Sequence, residues 1–202
     1  MGPGRVEVES PEHPRPRTLD WGSTPEERQA TLPGDDLVPD ATTVTTRFLT
    51  IRAPAYAVLP WVVQMGQDRA GFNTHNWVER VLQSRIPDVH EVRPEWQQLA
   101  PGDLMRTNRD IGGKPMGWPV LAIDHARSIV MQSRSMPIGT YAFILEPIDE
   151  TSTRFLVRDR AAWSRREWLF KMLDYEPLHA WMEMGLLRGF RQRAEGRSST
   201  SA

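Results

Sequence analysis

The chain has 202 residues, 39% of them hydrophobic, with 25 Lys or Arg against 26 Asp or Glu. This length and apolar content predict one globular domain with short additions, and the near-zero net charge argues against an extended surface for nucleic acid or anionic membrane. The absence of cysteine excludes disulfides, thiolate catalysis and cysteine-ligated metal sites.

The N-terminal region predicts a tail followed by a short helical extension. Residues 1–20 are rich in Pro, Glu and Arg without periodicity, which is typical of a disordered tail, and they lack the apolar stretch of a secretory signal. In the extension, residues 21–43, Thr24 is a candidate N-cap and Glu27 follows it by three positions, as in a capping box. Residues 196–202 predict a second disordered tail.

The next segments predict a strand followed by two short helices. The stretch VTTRFLTIR (44–52) is β-branched and partly alternating, so it predicts a strand. Residues 53–66 predict a helix that Pro60 should kink or restart, and residues 74–83 predict a second helix. An irregular connection is expected over residues 86–102.

The C-terminal half predicts an antiparallel meander and one long helix. Five segments with strand character are separated by short turns: 103–108, 117–124, 128–134, 139–147 and 153–160. Residues 176–194 then show helical periodicity. We expect one face of this helix to carry Leu178, Trp181, Met182, Gly185, Leu186, Gly189 and Phe190.

This order, and several stretches of sequence, resemble the START-like or SRPBCC superfamily, of the Bet v 1-like and polyketide cyclase/dehydrase-related kind, in an actinobacterial-type form. The similar stretches are WGSTPEE (21–27), LPGDDLVPD (32–40), TIRAPAYAVLPWVVQMGQDRAGF (50–72), RPEWQQLAPGD (93–103), YAFILEPIDETSTRFLVRDR (141–160) and PLHAWMEMGLLRGFRQRAE (177–195). The resemblance implies an α+β helix-grip fold over residues 44–195: a curved antiparallel sheet wrapped on a long C-terminal helix, with two short helices after the first strand. It implies a cavity between sheet and helix.

One segment departs from the pattern of these relatives. Where they tend to carry a run of the Tyr-Ser-Tyr-Asp-Trp type, this chain has Asn73, Thr74, His75, Asn76 and Trp77. Two tyrosines and an acid are thus replaced by amides and an imidazole. If this loop lines the cavity mouth, its polar groups are particular to this chain, and Asn73, His75, Asn76 and Trp77 are candidate site residues.

Glycine and histidine spacings allow two further interpretations, a phosphate loop and a metal site. Gly66 and Gly71 have P-loop spacing, but Phe72 and Asn73 follow where Lys and Ser or Thr are needed, so the glycines are better explained as turn residues. The pairs His75/Glu79 and His179/Glu183 could share helix faces in a metal site. Without an HExxH motif they are better explained as surface or pocket-rim pairs, and no metal or cofactor is predicted.

Acid–base chemistry is the clearest catalytic hypothesis. Along 153–160 the residues Phe155, Val157 and Asp159 alternate with three arginines, so if the two apolar side chains face the core, Asp159 faces the cavity. A desolvated carboxylate there would have a raised pKa and could act as acid or base, assisted by Tyr141, His125 or His75. The alternative is that Asp159 pairs with an arginine.

Aromatic and thioether side chains supply candidates for an apolar pocket. Flexible methionines and flat rings suit an adaptable binding site, although most such residues belong to cores. The ligand-binding candidates are Trp61, Met65, Asn73, Asn76, Trp77, Trp118, Tyr141, Trp181, Met182 and Leu186.

The sequence therefore predicts a cytoplasmic protein that binds a hydrophobic or polycyclic small molecule, polyketide-, lipid- or isoprenoid-like, in an internal cavity. A cofactor-free cyclase, dehydratase or aldol-type enzyme using Asp159, Tyr141 and His75 is the first alternative. A non-catalytic interaction module is the second. No nucleic-acid partner or membrane span is expected, and a homodimer is compatible with the sequence.

Overall fold

In a computed structural model of the protein, the described residues are 20–72, 89, 91–111, 114–133, 139–164 and 176–196. The helices are α1 (Pro25–Gln29), α2 (Ala55–Val63) and α3 (Glu176–Ala194), and short 3-10 turns lie at Asp35–Leu37 and Pro94–Trp96. The strands are β1 (Thr43–Ile51), β2 (Leu104–Ile111), β3 (Lys114–Asp124), β4 (Ser128–Ser133), β5 (Gly139–Asp149) and β6 (Ser152–Ala161). The predicted helix 74–83 and almost all of the two predicted tails lie outside the described residues.

Within the described ranges the strands form one antiparallel sheet in the order β1-β6-β5-β4-β3-β2. Strands β2 to β6 form a meander, and the last strand, β6, returns to lie beside the first. It pairs with the whole length of β1, from Thr43–Ala161 to Ile51–Thr153. Register shifts interrupt the β2–β3 and β3–β4 pairs, and bulges of this kind bend a sheet. Together with α3 against one face, this arrangement is the α+β helix-grip fold that the sequence predicts.

The main core lies between α3, α2 and one face of the sheet, called here the inner face. Phe143 and Phe155 project from β5 and β6, and Phe190 of α3 packs against both, with ring centroids 6.2 and 5.6 Å away. All three rings are fully buried. Val58 and Val62 of α2 complete this core. Each such side chain contributes roughly 1.5–3 kcal/mol on burial, so these contacts hold the helix on the sheet.

The buried stripe of α3 differs from the predicted one. Its members are Glu183, Leu186, Leu187 and Phe190, spaced as one helical face. Leu186 and Phe190 belong to the predicted stripe. Glu183 and Leu187 do not, and Trp181, Met182, Gly185 and Gly189 are only half-buried. The face turned to the sheet is therefore rotated from the expected one. The hydrophobic pattern did not predict this face because a charged residue, Glu183, occupies one of its positions.

The opposite, outer face of the sheet is covered by residues 20–41, called here the N-terminal strap. Leu32 packs on the buried outer-face side chains of Val130, Ala142, Ile144 and Leu156. Within the strap, Thr24 caps α1 and Glu27 completes the predicted capping box. The sheet is thus covered by α3 and α2 on its inner face and by the strap on its outer face.

Three arginines of β6 hold the strap in place. Arg158 donates to Asp35 from Nε at 3.1 Å and from Nη2 at 2.9 Å, and its Nη2 also donates to the carbonyl of Ala30. Arg160 donates to the carbonyl of Val38, and Arg154 donates to the Glu27 carboxylate. These are the arginines that strand alternation places opposite Phe155 and Val157.

The strap also covers the free edge of β1. The Thr46 N–H donates to the Asp20 carboxylate at 2.8 Å and the Phe48 N–H donates to the carbonyl of Trp21 at 3.4 Å. An uncovered edge strand is a template for pairing with another chain, so these contacts remove such a template.

The loop after α2 contains the glycine pair of the rejected phosphate motif. Gly66 and Gly71 bridge to each other through both backbone N–H groups, at 3.3 and 2.8 Å, and both have positive φ angles of 137° and 72°. They close a tight turn, as predicted, because glycine adopts such angles without steric cost. Pro60 lies inside α2, and the helix continues through it to Val63.

Among the described residues, no helix has both the length and the apolar character needed to cross a membrane.

Candidate functional site

A row of buried side chains crosses the inner face of the sheet near one end of its strands. Thr45 pairs with Asp159, Asp159 with Tyr141, and Tyr141 with Met131, so four adjacent strands contribute one residue each. No register shift interrupts β6 between Thr153 and Ala161. Because strand alternation is unbroken and Phe155 and Val157 lie in the core, Asp159 is on the inner face, where its exposed fraction is 9%.

A buried ion pair lies between this face of the sheet and α3. Nη1 of Arg47 in β1 is 2.5 Å from Oε2 of Glu183, and the two side chains are 0% and 1% exposed. Arg47 shares a face with Thr45, two positions earlier on the same strand. Moving two charges out of water costs several kcal/mol per ion, which short-range attraction offsets only with close contact such as this.

His179 lies one turn before Glu183 on α3 and joins the ion pair to Tyr141. Its Nδ1 is 3.7 Å from the same Oε2 that Arg47 contacts, which is within ion-pair range but longer than a hydrogen bond. The imidazole ring also meets the Tyr141 ring edge to face, with centroids 6.0 Å apart. The His179 side chain is 19% exposed although its Nδ1 is buried, so only another part of the ring is accessible.

Aromatic side chains continue from Tyr141 towards the β2 edge of the sheet. Trp118 of β3 lies 5.1 Å from the Tyr141 ring, and Phe72, from the loop after α2, meets Trp118 edge to face at 5.7 Å. Tyr141 itself is buried, whereas Trp118 and Phe72 are half-buried. This end of the inner face therefore combines a polar cluster of Arg47, Glu183, His179, Asp159 and Tyr141 with a partly accessible aromatic wall.

The other predicted ligand-binding residues have different surroundings. Met65 is part of the core, and so is Trp61, which lies under the guanidinium of Arg193 at 5.5 Å from the ring centroid. Leu186 is buried against the sheet, while Trp181 and Met182 are half-buried on α3. Four predicted site residues lie outside the described residues: Asn73, His75, Asn76 and Trp77.

Two predictions about histidines can be compared with the structure. His125 is exposed in the turn between β3 and β4, three positions before Ser128, whereas the residue of β4 that pairs with Tyr141 is Met131. The structure therefore does not bring His125 to the row. The pair His179/Glu183, predicted as a surface or pocket-rim pair, does share a helix face. Glu183 is not at the surface, because its side chain is buried against Arg47. No group of three His, Asp or Glu side chains suited to a metal ion occurs among the described residues.

A cavity of about 410 Å³ lies on the outer face, between the strap and the β1–β6 edge. Most of its lining is charged or polar, from Arg28, Asp35, Asp36, Arg158 and Arg160. The sheet separates it from the polar cluster. Its arginines contact the strap, so this cavity is a gap between the strap and the sheet, and Ala30 and Val44 are the apolar side chains of its lining.

Sequence reasoning missed the ion pair of Arg47 with Glu183 and the position of His179 beside it. The sequence did contain one signal for Arg47. Side chains two positions apart on a strand share a face, so if Leu49 and Ile51 point into the core, Arg47 must point there as well. Nothing comparable marks Glu183, because a lone acidic residue in a helical segment is ordinarily expected at the surface.

No protein-family model matches the chain, and no curated protein matches it by sequence. Among solved structures, the Aha1 dimer from Colwellia psychrerythraea has 12% identity and a TM-score of 0.48, and the match covers 78% of this chain and 100% of the Aha1 chain. Ara h 8.0201 has 12% identity and a TM-score of 0.45, over 75% of this chain and 97% of its own. The conserved protein EF2215 from Enterococcus faecalis has 8% identity and a TM-score of 0.48, over 83% of each chain. With TM-scores below 0.5, these similarities carry no argument about activity or oligomeric state.

Proposed function

We propose that the protein binds an apolar, ring-containing small molecule between the inner face of the sheet and the beginning of α3. The observation that carries this proposal is the half-buried aromatic wall of Phe72 and Trp118 directly beside the polar cluster. Ligand sites are mostly apolar surfaces with a few placed polar groups, and this end of the sheet has that composition. A polyketide-, lipid- or isoprenoid-like skeleton has the matching chemistry.

Met182 of α3 supports the same proposal. It precedes Glu183 and is half-buried on the flank of the buried stripe, so it retains surface that the core does not use. A thioether adapts its shape to different ligands. Trp181 is also half-buried, but it lies about half a turn away from the buried stripe of Glu183, Leu186, Leu187 and Phe190, on the side of the helix away from the sheet.

The proposal can be tested on the full-length protein. Native mass spectrometry of the freshly purified protein should show a co-purifying small molecule that is released on denaturation. In parallel, titration with naphthalene should quench or shift tryptophan fluorescence saturably, because a flat apolar probe would lie against Trp118.

The variant Trp118→Ala should weaken naphthalene binding about tenfold, since losing a large ring contact of about 1.4 kcal/mol corresponds to that factor. The matched control is Leu121→Ala, on the same strand but 37% exposed, which should leave binding unchanged. Binding that is absent in the parent protein, or equal in both variants, would contradict the proposed site.

A second candidate function is supported by one observation: Asp159 lies directly opposite Tyr141 on the buried inner face. Paired side chains on neighbouring strands have Cβ atoms about 4.5–5.5 Å apart, so both groups could contact one substrate. In a cyclisation or aldol-type reaction, the Asp159 carboxylate would take a proton from a carbon beside a carbonyl. The electron pair left behind would form an enolate, whose oxygen the Tyr141 hydroxyl would stabilise by donating a hydrogen bond.

A further inference from the structure

We propose that His179 and Tyr141 bind the polar group of the ligand, that Glu183 and Arg47 position His179, and that this polar group is a neutral hydroxyl or carbonyl rather than a carboxylate. This inference rests on the proposed binding of an apolar molecule at the aromatic wall. It adds the polar half of the site and the chemical class of the ligand's polar group.

The placement of His179 is the first support. The Glu183 carboxylate lies 3.7 Å from Nδ1 of His179, and the ring centroids of His179 and Tyr141 are 6.0 Å apart. Tyr141 in turn contacts Trp118 of the aromatic wall at 5.1 Å. A ligand lying on Trp118 therefore reaches Tyr141 first, with His179 and Asp159 as the next titratable groups beside it.

The charges of the cluster are the second support. Among the described residues of the cluster, the positive charge of Arg47 is engaged by the Glu183 carboxylate at 2.5 Å. A ligand carboxylate would therefore have to compete with Glu183 for Arg47 at this partly desolvated end, where like charges repel strongly.

The hydrogen-bonding character of the two anchoring groups is the third support. A tyrosine hydroxyl both donates and accepts, and a neutral imidazole has one donor and one acceptor nitrogen. Because Nδ1 faces the Glu183 carboxylate, Nε2 is the acceptor, which suits a ligand hydroxyl that donates. The Tyr141 hydroxyl can donate to either a hydroxyl or a carbonyl oxygen, and neither ligand group needs a counter-charge. Glu183 is the positioning residue because its carboxylate faces Nδ1, and Arg47 fixes that carboxylate from the sheet.

Three probes of similar size separate the components of this inference: naphthalene, 2-naphthol and 2-naphthoate. We expect 2-naphthol to bind about tenfold more tightly than naphthalene, and 2-naphthoate to bind no more tightly than naphthalene, by tryptophan fluorescence or calorimetry on the full-length protein at pH 7.5. If naphthalene itself fails to bind, the proposed function fails. If naphthalene binds but 2-naphthol gains nothing, or 2-naphthoate binds best, this inference alone is overturned.

Variants test the residue assignments. His179→Phe should retain naphthalene binding and abolish the preference for 2-naphthol, whereas His125→Phe, at an exposed turn histidine, should retain the preference. Tyr141→Phe should reduce the preference, with Tyr56→Phe as control because Tyr56 is 81% exposed.

The positioning role of Glu183 has its own readout. Glu183→Gln, which keeps the size of the side chain, should reduce the preference for 2-naphthol with little change in naphthalene binding. An equal loss of affinity for both probes would show that Glu183 is only structural.

The assignment of His179 has a separate outcome. An unchanged preference for 2-naphthol over naphthalene in His179→Phe would overturn it.

Discussion

Replacement of Arg47 by methionine should be among the most destabilising single changes in this protein that do not create a large cavity. The side chains of Arg47 and Glu183 are 0% and 1% exposed, so removing the guanidinium leaves a carboxylate inside the core. Breaking a buried pair in this way costs about 3–5 kcal/mol. For a domain of this length, where 1 kcal/mol shifts the melting temperature by about 2–4 °C, the expected fall is roughly 6–20 °C.

The double variant Arg47→Met/Glu183→Leu distinguishes a buried ion pair from a mere contact. Because apolar residues of similar volume can replace a buried pair with little loss, it should be more stable than either single variant. Urea denaturation of the parent, both single variants and the double variant gives the coupling free energy directly.

The exposed pair Arg127/Glu146 provides the matched control. Its side chains are 56% and 36% exposed and its charged atoms are 3.4 Å apart. The same cycle there should give a coupling below about 1 kcal/mol, because water screens such pairs. Equal coupling for both pairs, or a cost below about 1 kcal/mol for Arg47→Met, would refute the assignment of Arg47 and Glu183 to the dry interior.

Three further predictions concern the strap and the row. Gly34→Ala should cost about 1–3 kcal/mol in urea denaturation, because φ is 89° and a Cβ would lie 2.7 Å from Cγ1 of Val130. Burial acts to raise the pKa of Glu27, but hydrogen bonds from Arg154 and a backbone N–H outweigh it and hold the pKa below 4.5. The stabilisation by Glu27 is therefore present above its unfolded pKa and lost as pH falls through its folded pKa, so the stabilities of the parent and Glu27→Gln should converge once the pH is below that lowered pKa. Asp159→Asn should lower turnover of any substrate identified for the protein by about 10²–10⁴-fold.

Each of these predictions has a comparison that can contradict it. Gly102 has a φ of 97° with nothing within 4 Å of an added Cβ, so Gly102→Ala isolates the cost of backbone strain, and an equal cost at Gly34 would exclude the clash with Val130. A parent–variant difference for Glu27→Gln that grows on acidification would reverse the sign of the linkage. Full turnover in Asp159→Asn would remove this carboxylate from the chemistry.

The orientation of β6 could be predicted from its sequence because one physical rule decides it. Side chains of a strand alternate between faces, so Phe155, Val157 and Asp159 must lie opposite Arg154 and Arg158 unless a bulge intervenes. No register shift occurs between Thr153 and Ala161, and the apolar pair identifies the core side. Likewise, the bounds of α3 followed from its helical periodicity and the proline at its second position.

The polar cluster could not be predicted in the same way, because its contacts join distant parts of the chain. Arg47 and Glu183 are 136 positions apart, and their pairing depends on how α3 is rotated on the sheet. Hydrophobic periodicity predicts that a helix has an apolar face, but it locates the centre of that face only to within about one residue. Because neighbouring positions differ by 100° around the axis, that uncertainty leaves the rotation of the helix on the sheet undetermined. A charged residue on the buried face contradicts the hydrophobic pattern, and only its partner on β1 makes the position stable.

The two faces of the sheet use arginine differently, and this difference separates stability from binding. Arg158 and Arg160 on the outer face bind carbonyls and a carboxylate of the strap, so substitutions there should loosen the strap and leave the aromatic wall unaffected. Arg47 on the inner face contacts Glu183, which also faces His179, so its loss should change both the stability and the preference for a polar ligand group. The sheet lies between these two networks. A variant that alters ligand preference without altering stability should therefore map to His179 or Tyr141 and not to the strap.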